Sequence, residues 1–332
     1  MSNTLSTSGP FTLDSLRAFT AAHMLRVNGV IERHLKSDVV LINQLSHHII
    51  HSGGKRLRPM LVMLSASSCG YQEQEDALLA AIIEFIHTAT LLHDDVVDAS
   101  EMRRGEQTAS SIWGNEAAVL VGDYLYSRAF QLMVLADSLP IMKLMADTTN
   151  TIAQGEVLQL LNINDPDTSE ERYYEVIYSK TACLFEAACK IGAIISGSAE
   201  RLEEPLGTYG KHLGIAFQLA DDALDYESDS SELGKNVGDD LAEGKPTLPL
   251  IYAMQQGTQQ QRQLIRTAIE QGGLDKIDQI TRIIHETGAL AYTHKQAIQH
   301  AETAKAAISA LPDSTSRQAL LFLADYAVER SY

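Results

Sequence analysis

Positive charge is scarce in this chain: 26 lysines and arginines face 43 aspartates and glutamates, a formal net charge of −17 over 332 residues. Nucleic-acid phosphates demand a basic surface, so a nucleic-acid partner is excluded. Cysteine is scarce as well. Cys69, Cys183 and Cys189 are odd in number and sit in apolar surroundings without metal-ligand spacing, which leaves buried reduced thiols with no catalytic role. No run of eighteen apolar residues occurs, and the opening MSNTLSTSGPFTLDSLR holds no apolar stretch of signal-peptide length. The expectation is a cytoplasmic protein that does not span a membrane. Only 8 prolines occur, with none between Pro59 and Pro140 or between Pro249 and Pro312, so long windows stay open to helices. Strand-like runs rich in valine, threonine and aromatics are few, while alanine, leucine, glutamate and glutamine abound. These absences leave an all-α chain.

What is present organises simply. Residues 1–11 read as a loose polar lead-in, and periodic apolar positions from Leu13 onward begin a single helical domain over residues 12–332. Short polar breaks at 52–54, 69–76, 164–171 and 203–205, and a longer one at 228–249, separate helical windows, giving about ten to thirteen helices. The stretch DPDTSEE at 165–171 is a helix start, with acids where the dipole favours them.

The segment TLLHDDVVDASEMRRGEQTA, Thr90 to Ala109, follows one of the most apolar stretches of the chain. On a helix Asp94 and Asp98 stand one turn apart on one face, with Asp95 beside them, and Asp221, Asp222 and Asp225 repeat the arrangement. Carboxylates so close raise one another's pKa unless cations neutralise them, and an apolar setting makes unpaired charge prohibitively expensive. A lone DDxxD is most often a solvated acidic face; the apolar flanks AAIIEFIHTATLL and GIAFQLA turn the balance here. Hard oxygen ligands suit magnesium better than zinc, and magnesium binds best when phosphates complete its shell. Basic groups suited to those phosphates stand nearby in sequence: Lys55, Arg56 and Arg58 in GGKRLRP, and Arg103 and Arg104 in EMRRGEQT.

These residues resemble the trans-isoprenyl diphosphate synthases, and within that family the members that make octaprenyl diphosphate for quinone side chains. The likeness runs from about residue 12 to the end. It rests on GGKRLRP, EFIHTATLLHDDVVD, RRG, GEVLQL, YSKTA, FQLADDALDY and GKNVGDDLAEGKPTLP in that order. Each is weak alone, and the ordered set is specific. The resemblance implies a large all-α bundle around a deep central cavity, a homodimer, and two aspartate motifs facing each other at the cavity mouth. It implies a magnesium-dependent prenyltransferase that ionises an allylic diphosphate and adds isopentenyl diphosphate to it. Asp94, Asp95, Asp98, Asp221, Asp222 and Asp225 would hold several magnesium ions against the allylic diphosphate, which Arg103, Lys180, Thr181 and Gln218 would also bind. Lys55, Arg58, His87 and Arg104 would hold isopentenyl diphosphate. Lys235, Lys245 and Asp239 would belong to a loop that closes over the diphosphate.

Product length is expected to depend on the residues one turn before Asp94. Ala89 and Thr90 are small where short-product relatives place bulky aromatics, which implies a medium or long product; Ala89 also suits close helix packing. Met133 and Met145 are the candidates for deeper stops, and methionine is equally an ordinary core filler. Two other readings are weighed. A class I terpene cyclase would not need GGKRLRP, and a regulatory subunit of a two-chain prenyl synthase would lack the aspartate motifs. A shorter-chain synthase is the remaining alternative, and a peripheral membrane contact is the expected exit for a long lipid product.

Overall fold

The computed structural model describes residues 11–51, 54–103, 105–227 and 238–329. The polar lead-in expected at 1–11 lies, apart from Phe11, outside the described residues. The helices run α1 (Leu13–Leu35), α2 (Val40–His51), α3 (Leu57–Ser68), α4 (Asp76–Val97), α5 (Ala109–Trp113), α6 (Asn115–Leu135), α7 (Leu139–Asn162) and α8 (Glu170–Ile177). After a π-helical turn, Tyr178–Ala182, come α9 (Cys183–Ile195), α10 (Ala199–Glu227), α11 (Asp239–Ala242), α12 (Leu248–Gln256), α13 (Gln259–Gln271), α14 (Ile277–Glu286), α15 (Ala289–Ala307) and α16 (Thr315–Val328). The fold is all-α. Among the described residues the β structure is one two-residue hairpin, β1 (Met102–Arg103) with β2 (Glu106–Gln107).

The segments outnumber the ten to thirteen expected because glycines subdivide the helical windows. Gly114 at φ 88° separates α5 from α6, and Gly272 and Gly288, at φ 71° and 72°, stop α13 and precede α15. The reverse holds at 203–205, read as a break, because α10 runs straight through Pro205. The missing N–H would have bonded the carbonyl of Arg201, an exposed residue in the opening turn, where water can take its place. The DPDTSEE reading stands: Ser169 caps α8 by accepting from the Arg172 N–H, with Glu170 and Glu171 in the first turn.

α4 and α10 set the frame. α4 packs on α1, α3 and α6, while α10 lies along α9 and α15, and α3 joins the two halves through α9. By length and composition α4 could cross a membrane, yet 67% of its apolar window is buried inside the protein, as befits a core helix. Leu79, Ile82, Ile83, Phe85, Ile86, Ala89 and Leu92 place apolar atoms on nearly every side of it. Burying each large side chain contributes about 1.5–3 kcal/mol. The cysteines are inert: burial pushes the Cys183 and Cys189 thiols up to about 12 and raises Cys69.

α10 and α15 also share a half-buried histidine pair, His212 and His300, whose Nδ1 atoms lie 2.8 Å apart. Burial first, then His212 and Lys211, pull His300 down to about 4 from 6.5; Tyr174 stacks on its ring, and Glu186 opposes the shift at His212. Between those two pH values the unfolded chain binds the proton and the folded chain does not, so stability falls as pH drops through the window. A His300→Phe variant should therefore lose melting temperature less steeply than the parent between pH 6.5 and 4. Equal slopes in a thermal-melt series would remove the pair from the acid response.

Candidate active site

The first aspartate trio closes the C-terminal end of α4, with Asp98 as its C-cap. A helix dipole disfavours anions at that end, so stability alone does not explain three carboxylates there. A different cation meets each one. Lys180 Nζ approaches Asp94 Oδ1 at 3.4 Å, Arg103 Nε donates to Asp95 Oδ1 at 2.6 Å, and Lys245 Nζ donates to Asp98 Oδ2 at 2.9 Å. Arg103 is returned to the helix end by the hairpin, whose turn contains Gly105 at φ 80°. Lys180 also donates to Glu156 Oε2 at 2.9 Å, and Lys245 pairs with Glu243.

Electrostatics follow from this crowding. Burial raises the Asp95 carboxyl, with Arg103 pulling the other way, and burial followed by Asp94 raises Glu156. Burial alone would lower Lys245, but Asp98, Glu243 and Asp240 outweigh it and hold the ammonium charged. Asp95 is 1% exposed, and its Oδ2 atom has no hydrogen-bond partner. An orphaned carboxylate oxygen at such depth is an open position for a cation.

The second trio also lies near a helix C-terminus, in the last two turns of α10. Asp222 is buried and takes two hydrogen bonds, from the Tyr173 hydroxyl to Oδ2 at 2.5 Å and from Gln218 Nε2 to Oδ1 at 2.8 Å. Thr181 Oγ1 donates to Gln218 Oε1 at 3.0 Å and fixes that amide's orientation. Burial, then Asp240, push Asp222 up to about 8, with Asp221 adding to the shift. The Asp240 N–H donates to Asp225 Oδ2 at 3.2 Å, and the Gly238 N–H donates to the Asp225 carbonyl at 3.0 Å.

The π-helical turn lets Lys180 and Thr181 face one cavity; such turns interrupt α-helices mainly at functional sites. Gly155 of α7 makes room for it, since a Cβ there would sit 2.5 Å from the Ser179 Cβ. The cavity, of about 140 Å³, is lined by Lys180, Thr181, Tyr173, Gln218, Asp222, Asp240 and Lys245, and by Asn162, Thr168 and Thr247. Asp94 and Asp98 reach it through the lysines they pair with. Among the described residues no three Asp, Glu, His or Cys side chains converge to hold an ion by themselves. Such spacing suits an ion whose shell is completed by phosphate oxygens and water.

A separate basic group lies across α3, α4 and α9. Arg58 Nη1 donates to His87 Nε2 at 3.1 Å while its guanidinium stacks 4.5 Å above the Phe185 ring. Lys55 Nζ lies 5.2 Å from the Tyr326 ring of α16. Arg56 is engaged elsewhere, donating to the Ile50 carbonyl at 3.0 Å and pairing with Glu84 of α4 at 3.9 Å. Arg104 and Lys235 lie outside the described residues, and Asp239 opens α11. Ala89, Met133 and Met145 are fully buried, and Thr90 is half-buried with Oγ1 donating to the His87 carbonyl at 2.8 Å. None of these four lines the cavity described above.

Sequence reasoning missed Tyr173, Asp240 and Glu243, and assigned no role to Glu156 although it sits inside GEVLQL. A tyrosine in a helical window reads as core, and nothing local marks its partner 49 positions on. A Tyr173→Phe variant, which leaves Asp222 with one donor, should lose about 1–3 kcal/mol of stability in urea unfolding. An unfolding curve superimposable on the parent's would show that the bond contributes nothing.

An all-α bundle with a cavity that Asp222 lines, and that Asp94 and Asp98 reach through Lys180 and Lys245, suits a prenyltransferase of the isoprenyl diphosphate synthase type. A model of the polyprenyl synthetase family matches residues 39–287, and the chain belongs to that family. Octaprenyl diphosphate synthase of Escherichia coli (strain K12) is 53% identical over 319 residues, covering 96% of this chain and 99% of the relative. An all-trans-nonaprenyl-diphosphate synthase (geranyl-diphosphate specific) of Rhodobacter capsulatus is 49% identical over 301 residues, covering 90% and 92%. The crystal structure of a polyprenyl synthase from Caulobacter crescentus CB15, complexed with calcium and isoprenyl diphosphate, superposes with a TM-score of 0.92. It is 44% identical and covers 97% of this chain and 99% of that one.

Proposed function

We propose that this long-chain trans-polyprenyl diphosphate synthase condenses isopentenyl diphosphate onto an allylic primer such as farnesyl diphosphate and stops at the octaprenyl product. The observation that carries this reading is 53% identity to an octaprenyl diphosphate synthase along nearly the whole of both chains. The product is a quinone side-chain precursor. Asp94, Asp95, Asp98, Asp221, Asp222 and Asp225 would hold magnesium, which, when bound, would neutralise the negative charge that builds on the leaving diphosphate.

The chain's own residues do the rest. Lys180, Lys245 and Arg103 exchange their aspartate partners for diphosphate oxygens, so fixed positive charge is already aimed where the leaving group gains electrons. Gln218 and Thr181, mutually bonded, orient its other face. Arg58, His87, Lys55 and Arg104 hold isopentenyl diphosphate, the Phe185 ring orienting the planar Arg58 fork for bidentate contact. Apolar walls from α4 exclude water, which would otherwise capture the allylic cation. Attack by the isopentenyl double bond then lengthens the chain by one unit, and the departing diphosphate takes the proton lost in restoring the double bond.

The chain works as a homodimer in the cytoplasm. α6 and α7 expose Leu120, Val134, Leu135, Leu139, Leu160 and Leu161, and Leu139 is 77% exposed. An unpartnered leucine-rich face across two helices suits a second copy of this chain. The long lipid product leaves through a peripheral contact with the membrane surface. Purified chain incubated with farnesyl diphosphate, isopentenyl diphosphate and magnesium should yield octaprenyl diphosphate as its longest major product. A product that stops at geranylgeranyl, or no elongation at all, would defeat the reading. Light scattering of the same sample should give twice the chain mass.

A further inference from the structure

We propose that Asn164 is a positioning residue for Lys245, and through it for the primer's diphosphate; the inference rests on the cavity being the diphosphate site. Lys245 stands at the head of a tight turn in which its own N–H donates to the Asp240 carbonyl at 2.8 Å and its carbonyl accepts from Thr247 at 3.0 Å. One residue before it, the Gly244 carbonyl accepts from the Asn164 N–H at 2.9 Å, which ties the turn to the end of α7.

Both partners are left-handed, Gly244 at φ +69° and Asn164 at φ +59°. Asparagine is one of the few side chains that suit this conformation, and the fold uses it for contact as well. A Cβ on Gly244 would sit 2.0 Å from Asn164 Oδ1, so the asparagine side chain lies directly over the glycine. Arg172 braces the other side of the clasp, donating to Asn162 Oδ1 at 2.5 Å and to Asp165 Oδ2 at 3.2 Å. Asn162, which is buried, lines the cavity together with Lys245. Asn164 itself is exposed and does not line the cavity, so it acts through the backbone it holds. A flexible ammonium arm is useful only when its root is fixed, because a misplacement of about 1 Å costs catalysis heavily.

A β-branched residue resists the left-handed conformation, whereas glycine adopts it freely. Asn164→Val should raise KM for farnesyl diphosphate about tenfold, the size expected from a left-handed penalty, and leave KM for isopentenyl diphosphate unchanged. Asn164→Gly should restore the parent value. Gly244→Ala, whose Cβ collides with Asn164, should reproduce the primer-selective rise. In a Lys245→Ala background, which by itself raises primer KM, Asn164→Val should add nothing further. If Lys245→Ala leaves primer KM unchanged, the assignment of Lys245 to the diphosphate fails. If Lys245→Ala raises it while Asn164→Val and Gly244→Ala do not, or if they raise both KM values alike with a lowered melting temperature, the clasp is structural only and the inference is overturned.

Discussion

Asp94→Ala should lower kcat on the order of a thousandfold or more while the melting temperature barely moves. The two halves of that expectation have separate causes. Among the described residues Asp94 makes one ion pair, with Lys180 at 3.4 Å, and Lys180 keeps its shorter bond to Glu156 when the carboxylate goes. Removing an anion from the negative end of α4 even relieves a dipole conflict of about 0.3–1 kcal/mol. Under the proposed function turnover, by contrast, needs the carboxylates that would secure the metal on the primer's diphosphate. Incorporation of labelled isopentenyl diphosphate across a magnesium titration measures it. A parent-like elongation rate would remove the α4 trio from the metal site, and a large loss of melting temperature would instead give Asp94 a structural role.

The second large effect concerns product length. Ala89→Tyr should shift the product from octaprenyl to a much shorter chain. Ala89 lies one turn before His93 on α4, and His93 marks the face that meets α6: its Nε2 is 3.3 Å from the Val119 carbonyl, and a Cβ at Gly122 would lie 2.4 Å from that atom. Helices so close leave little room for an aromatic side chain, which would intrude on the hydrocarbon path that the proposed function places along α4. Overpacking at so buried a site costs about 1–3 kcal/mol, which the folded chain should survive. Ala89→Leu, with less volume, should truncate later than tyrosine does. Product analysis by reversed-phase chromatography would register both shifts, and an unaltered distribution from folded Ala89→Tyr protein would take Ala89 out of the tunnel wall.

How much of this was legible in the sequence depends on the range of the interaction. The helix content, the bounds of α3, the starts of α4 and α8, and the placement of Asp94 and Asp98 one turn apart follow from local periodicity and capping, and the structure bears them out. Local signals misled at Pro205, where the exposed start of α10 tolerates the missing donor, and across 228–249, where α11 forms and α12 begins inside a stretch that read as a break. The cations of the site were legible as residue types but not as partners. Nothing in the spacing tells that Lys245 meets Asp98 across 147 positions, or that Tyr173 reaches Asp222. The π-helical turn was equally invisible; it packs where Gly155 admits α7 against Ser179, a contact between distant segments.

The pairing of each α4 aspartate with its own basic side chain bears on what happens between successive additions. A chain elongated through many rounds must release a diphosphate after each one while the growing hydrocarbon stays in place. At that moment the rim would hold bare carboxylates beside a greasy wall, and water drawn to them would follow. Under the proposed function, Lys180, Arg103 and Lys245, which pair with Asp94, Asp95 and Asp98, would oppose this by returning to those carboxylates. On that reading the same three side chains would serve the diphosphate while it is bound and the aspartates once it has left, so each of the three carboxylates would keep a cation beside it between rounds of elongation.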